Sequence, residues 1–273
     1  MCEFCTKHGD GKKWYLQAKN YAEDLASDMD RHRKATARFK YFDEGLRGDY
    51  LNLENRFPLL PKPIRRVVAS MYTRKNKKEH FGQVLPIEDV ERVLSIANSI
   101  VRTPCVCRKA VSGREVAYCL GISACPDTPL GKLFLSGPDT AGVDRLSPEQ
   151  AVEFMRTLEP EGIMHSVWTF ETPFIGAICN CDSRECVATR ATVHHGVKAM
   201  FKGEYIADVD LDLCTGCRNC EKVCQFGAVS ISDGKASVDL LRCYGCGSCR
   251  AVCGKNAITL LDRVSVPVVA NDW

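Results

Sequence analysis

Apolar residues recur at helical spacing through much of the first half of the chain. Over 12–45, Trp14, Leu16, Ala18, Tyr21, Ala22 and Leu25 mix with charges and no proline intervenes, which predicts helix. Pro58, Pro61 and Pro63 then mark a turn-rich passage. Beyond Pro86, the residues Ile87, Val90, Val93, Leu94, Ala97, Ile100 and Val101 share one face of a 3.6-residue period, and Pro104 requires that helix to end by Thr103. A third helix is predicted from Ser147-Pro148-Glu149-Gln150, where Ser147 can cap, Pro148 suits the first turn and Gln150 holds the capping-box position. Short strands are predicted over 114–120, 132–135, 163–170 and 174–179, the last two joined at Thr172-Pro173. The fold class expected is α+β: a helical region over 1–80, a mixed cysteine-rich unit over 81–203 and a C-terminal segment over 204–273.

The chain has 273 residues, 45% hydrophobic and 26% charged, an ordinary globular balance. No stretch approaches the ~20 apolar residues a bilayer span needs, and the start, MCEFCTKHGDGKKWYL, carries no apolar signal core. The expectation is a cytoplasmic protein without membrane insertion. The net charge of +3 conceals an asymmetry, since 1–80 holds 18 Lys and Arg against 11 Asp and Glu, whereas 204–262 holds 6 against 8. The basic clusters Arg31, Arg33, Lys34, Arg38, Lys40 and Arg74, Lys75, Lys77, Lys78 read as a solvated helix face and an exposed loop, or as docking surface for an acidic partner protein. No aromatic-interleaved groove or helix-turn-helix pattern accompanies them, which argues against nucleic acid as the partner.

Seventeen cysteines change the picture more than the charge does. In a reducing compartment they persist as thiolate ligands rather than disulfides. Residues 214–224 read CTGCRNCEKVC and 243–253 read CYGCGSCRAVC, both with the spacing C-x2-C-x2-C-x3-C. The repeat runs further: Val209-Asp210 and Val238-Asp239 precede the two runs at equal distances, and Ala228-Val229 matches Ala257-Ile258. Three cysteines two residues apart place three thiolates on three corners of one cubane, and the fourth ligates the other cluster. Cys214, Cys217, Cys220 and Cys253 are therefore expected on one [4Fe–4S] cluster, and Cys243, Cys246, Cys249 and Cys224 on a second. Gly216 and Gly245 fit where a side chain would crowd a cluster.

This segment resembles the bacterial two-cluster ferredoxin domain. The resemblance implies a βαββαβ unit and two [4Fe–4S] clusters. Gln225 and Gly254 depart from it, standing where a proline usually follows each fourth cysteine. Zinc modules would need ligands in two separate pairs, which identical four-cysteine runs do not supply.

Cys105, Cys107, Cys119, Cys179, Cys181 and Cys186 form a second constellation, with two C-x-C pairs. The stretch 103–190 resembles a cysteine-rich module upstream of ferredoxin domains in iron–sulfur proteins of anaerobes. Six thiols are too many for one cluster and too few for two. Adding Cys2 and Cys5 makes eight, so one or two further Fe–S clusters are expected, leaving Cys125 over; the other reading is buried thiols packed as small hydrophobes. The two C-x-C loops should then face one cavity, with Arg102, Arg108 and Lys109 offsetting cluster charge. His8, His165, His194 and His195 read as surface or packing residues.

Several clusters in one chain make an electron relay. The function expected is a non-catalytic electron-transfer subunit of an anaerobic oxidoreductase, bound to a larger catalytic or redox protein and taking no small-molecule substrate. An enzyme with an open metal site at Cys179, Cys181 and Cys186 is the alternative; a metal-dependent nucleic-acid regulator rests only on the basic region. No nucleotide-binding loop or C-x3-C-x2-C radical signature supports the enzyme.

Overall fold

The computed structural model describes residues 13–21, 28–123 and 144–273. Cys2, Cys5, His8, Cys125 and the strand expected over 132–135 lie outside the described residues. Short 3-10 turns at Trp14–Leu16 and Ala18–Tyr21 precede helices α1 (Met29–Glu44), α2 (Leu46–Asn55) and α3 (Lys62–Glu79). The prolines at 61 and 63 do not make a loop, as the sequence reading supposed: Pro61 is the N-cap of α3 and Pro63 lies in its first turn, where the missing N–H costs nothing. The basic run 74–78 is thus helical.

Strand β1 (Gly82–Leu85) leads into helix α4 (Ile87–Ile96), and β2 (Ile100–Thr103) follows. The helix expected to run to Thr103 stops early. Ala97 is already extended, and the β-branched pair Ile100-Val101 joins the sheet instead. Helix α5 (Val106–Ser112), strand β3 (Cys119–Ile122), helix α6 (Pro148–Leu158), strands β4 (Met164–Thr169) and β5 (Ile175–Cys181), helix α7 (Val187–His195) and strand β6 (Met200–Phe201) complete this half. Only the end of the strand expected over 114–120 forms. Ser147 and Gln150 make the full capping box at the start of α6.

The six strands form one sheet in the order β2-β3-β5-β4-β1-β6, antiparallel except for the β1–β6 pair. One face packs Phe81, Leu85, Leu120, Val167 and Ile178 against Val90, Leu94 and Met155 of α4 and α6. The other packs Val84, Met164 and Trp168 with Phe174, Cys181 and Cys186. Side chains that alternate along β1 and β4 are therefore buried on both faces, each large apolar one contributing roughly 1.5–3 kcal/mol.

The C-terminal part runs β7 (Tyr205–Val209), helix α8 (Asn219–Val223), β8 (Val229–Ser232), β9 (Lys235–Val238), helix α9 (Ser248–Ala251) and β10 (Ile258–Asp262). The outer strands β7 and β10 pair antiparallel, as do β8 and β9. Arg263, fully buried, ties this part to the linker after the large sheet. It donates to the carbonyls of Gly203 at 2.8 Å, Tyr205 at 2.8 Å and Cys243 at 2.9 Å. Leaving such carbonyls unpaired costs about 1–3 kcal/mol each. The substitution Arg263→Met is therefore expected to lower the anaerobic thermal midpoint by on the order of 10 °C. An unchanged midpoint would show that these bonds add nothing beyond what water supplies.

Candidate metal centres

The duplicated sequence builds duplicated turns. The Asp210 Oδ1 accepts from the amides of Asp212 at 2.9 Å and Leu213 at 3.3 Å, and Asp239 Oδ1 does the same for Leu241 and Arg242 at 3.0 and 3.2 Å. These turns deliver Cys214 and Cys243, whose amides bond back to the Asp210 and Asp239 carbonyls. The repeats also cross-link, with Asp210 N–H donating to Ala257 O and Asp239 N–H to Ala228 O. The matched alanines have a second task. Ala228 N–H donates to Cys224 Sγ at 3.2 Å and Ala257 N–H to Cys253 Sγ at 3.3 Å.

Gly216 and Gly245 have φ of 65° and 70°. A Cβ would lie 2.2 Å from Gly234 O at the first and 2.1 Å from Tyr205 O at the second, so the neighbouring backbone excludes it.

Two cavities result. Cys214, Cys217, Cys220 and Cys253 line one, and Cys224, Cys243, Cys246 and Cys249 line the other. Each encloses about 340 Å³ including its open mouth. This is the interleaved grouping expected from the spacing, and sulfur-rich walls with inward amides suit thiolate ligation of an iron–sulfur core. The cavities differ in exposure: Cys217 is exposed, whereas Cys243 and Cys249 are buried. Amides of Ala236 and Gly216 hold the Cys214 thiol below its usual pKa. Burial pushes Cys246 up to about 12. Loading that inner site must therefore expel bound protons.

Gln225, where the resembled motif has proline, bridges the two halves. Its Nε2 donates to Gly162 O at 2.8 Å, and its Oε1 accepts from the amide and hydroxyl of Ser183, each at 2.8 Å. Phe226 beside it stacks on Tyr244 at 3.9 Å. A proline cannot make these bonds.

The six middle cysteines come together from four chain segments. Cys105 Sγ lies 3.4 Å from Cys119 Sγ, and Cys181 Sγ 3.3 Å from Cys186 Sγ. Cys119 and Cys179, Cys179 and Cys181, and Cys186 and Cys107 lie near enough to influence one another's protonation. Strand pairing places β3 between β2 and β5, which brings the loop after Thr103 beside the end of β5; the second C-x-C pair lies on that strand, through Cys181, rather than on the loop expected after Ile178. Asp182 closes the last segment: its Oδ1 accepts from the amides of Arg184 and Glu185 at 2.8 Å, turning Cys186 back onto Cys181. Among the described residues, no three His, Cys, Asp or Glu side chains stand as a ready-made site for a single ion.

Backbone and side-chain donors face these sulfurs. Tyr118 N–H reaches Cys105 Sγ at 3.3 Å, with Arg108 Nη1 at 3.5 Å. Contacts with Cys105 and Cys179, the Asn180 amide and the nearby guanidinium hold Cys119 well below the usual thiol pKa. Contacts with Cys107 and Cys181, together with Thr189, do the same for Cys186. Arg108 is buried and paired with Asp182 at 2.6 Å and Glu185 at 3.3 Å. Arg102 turns to Asp144 at 2.6 Å and Lys109 to Glu115 at 3.2 Å, so of the three cations expected to offset cluster charge, Arg108 touches sulfur and is itself matched by carboxylates.

His165 is buried, its Nδ1 2.7 Å from Asn180 Oδ1. His195 faces Glu54 at 3.3 Å, beside the Glu54–Arg190 pair at 2.8 Å. The His195 and Arg190 contacts were not legible locally, because Glu54 lies on α2.

The substitution Gln225→Leu keeps the volume and removes the bridge. It is expected to cost about 2 kcal/mol in unfolding free energy while iron content holds at the wild-type value, measured by denaturant titration and iron assay. A loss of iron would instead assign Gln225 to cluster retention.

A family model described as a 4Fe-4S dicluster domain matches residues 213–258. No curated protein matches the chain. The C-terminal part of the protein is thus a ferredoxin-like 4Fe-4S domain in a mixed α+β chain, and no helix among the described residues is long and apolar enough to cross a membrane.

Proposed function

We propose that the chain is the electron-transfer subunit of an oxidoreductase complex of anaerobic metabolism. In this reading it relays single electrons through two [4Fe–4S] clusters held as in bacterial two-cluster ferredoxins. The observation that carries this reading is the pair of cavities, each lined by three cysteines of one run and the fourth of the other. Each cluster, when bound, accepts and returns one electron. The chain's own part is to meet the added negative charge: amides of Ala228, Ala236 and Ala257 already point at cysteine sulfur. The cluster at exposed Cys217 is the inlet or outlet, and the cluster at buried Cys243 and Cys249 is the inner station.

A relay needs a partner. Helix α3 leaves Ile64, Val67, Met71 and Tyr72 exposed, and its eighteen residues hold seven Lys and Arg against one Glu. An apolar stripe rimmed with positive charge fits a larger redox protein with an acidic rim.

Two outcomes test the reading. Cys217→Ala and Cys246→Ala are each expected to abolish the reduced-state signal of a different cluster; survival of both signals in either variant would contradict the ligand scheme. Val67→Glu with Met71→Glu is expected to lower anaerobic recovery of the partner at least tenfold with unchanged iron content. Full recovery would remove α3 from the interface, and a wild-type chain isolated free with substrate turnover of its own would favour an enzyme.

A further inference from the structure

The six middle thiols differ from the eight C-terminal ones in a way that bears on what they bind. In the dicluster domain the sulfurs stand apart around cavities. That is the spacing a cubane requires, because each thiolate takes a separate iron and the core stands between them. In the middle group the sulfurs touch, at 3.3 and 3.4 Å in the Cys181–Cys186 and Cys105–Cys119 pairs. Two thiolates on one tetrahedral ion, each bonded at ~2.3 Å, stand roughly 3.8 Å apart, so these pairs need to open only slightly to share an ion.

Packing of inert thiols explains burial but not the donors aimed at sulfur. The Tyr118 amide at 3.3 Å and Arg108 Nη1 at 3.5 Å both point at Cys105 Sγ, an arrangement that suits negative charge there. Cationic side chains do not supply the balancing charge, since Arg108 is already matched by Asp182 and Glu185. A divalent or trivalent thiophilic ion supplies it.

We propose that Cys105, Cys107, Cys119, Cys179, Cys181 and Cys186 form a separate metal centre in which contacting thiolates share thiophilic ions, and that this centre is not a third cubane. The contacting pairs, Cys105 with Cys119 and Cys181 with Cys186, are its principal ligands, and Cys107 and Cys179 flank them. The centre lies on the side of the inner dicluster site, because Cys181 and Cys186 pack in one cluster of side chains with Phe226, Tyr244, Cys224 and Cys246. The inference does not depend on the electron-transfer reading.

The test is metal and acid-labile sulfide analysis of the full chain purified without oxygen, beside the double variant Cys119→Ser/Cys186→Ser. Two cubanes account for about eight iron and eight sulfide. The wild type is expected to hold one or two further ions per chain, and the double variant to lose them while keeping the eight. About two extra iron with two sulfide identifies a [2Fe–2S]-type centre, whereas extra zinc or iron without sulfide identifies a plain thiolate site; both support the proposal. About twelve iron and twelve sulfide, or no metal beyond the eight, overturns it. Wild-type analysis stands even if the variant does not fold. Loss of the eight in the wild type would contradict the dicluster reading alone: metal still present in the wild type and absent from the double variant would support this centre, and no such metal would overturn it.

Discussion

Thiolate sulfur inside a folded protein has to be held in place by groups that also tolerate its charge, and this requirement shapes the cysteine-bearing turns among the described residues. Isolated buried charge is expensive. The Asp210, Asp239 and Asp182 turns satisfy the requirement with local hydrogen bonds that point amides inward and fix where the next cysteine stands. The regular elements serve as supports for these turns. Strands β7 and β10 clasp the dicluster loops, and the end of the six-stranded sheet gathers the middle loops.

The two halves are joined by polar groups with few alternatives. Arg263 saturates three carbonyls at the linker, Gln225 spans from the second half to Gly162 and Ser183, and Asp89, buried, accepts from Lys13 at 3.0 Å, Tyr15 at 2.6 Å and Tyr205 at 3.2 Å. Gln225 is adjacent in sequence to Cys224, which lines the inner cavity. Any shift of the large sheet against the dicluster domain therefore bears directly on a wall of that cavity.

Much of the C-terminal site was legible because its information is local: ligand spacing, the Asp turns and the matched alanines all lie within one repeat. The middle site was legible as residue types but not as geometry. Which thiols touch depends on β3 lying between β2 and β5, a long-range pairing that no window of sequence contains. The same limit explains the element errors. Helical periodicity through Ile100 and Val101 was real but short, and the sheet won those two β-branched residues. Pro61 and Pro63 signal a break or a helix start equally well, and α3 formed where a loop was expected. Gln225 looked like a departure from a motif, and its role appears only when Gly162 and Ser183 are brought beside it.

The account rests on two cubanes held close together by interleaved ligands, with Cys220 of one site near enough to act electrostatically on Cys249 of the other. Electron paramagnetic resonance of the fully reduced chain tests this directly. Two neighbouring [4Fe–4S] clusters, each with one unpaired spin, are expected to give a broadened, magnetically coupled spectrum integrating to about two spins per chain. A single uncoupled signal of one spin, or a chain silent and free of sulfide, would contradict it.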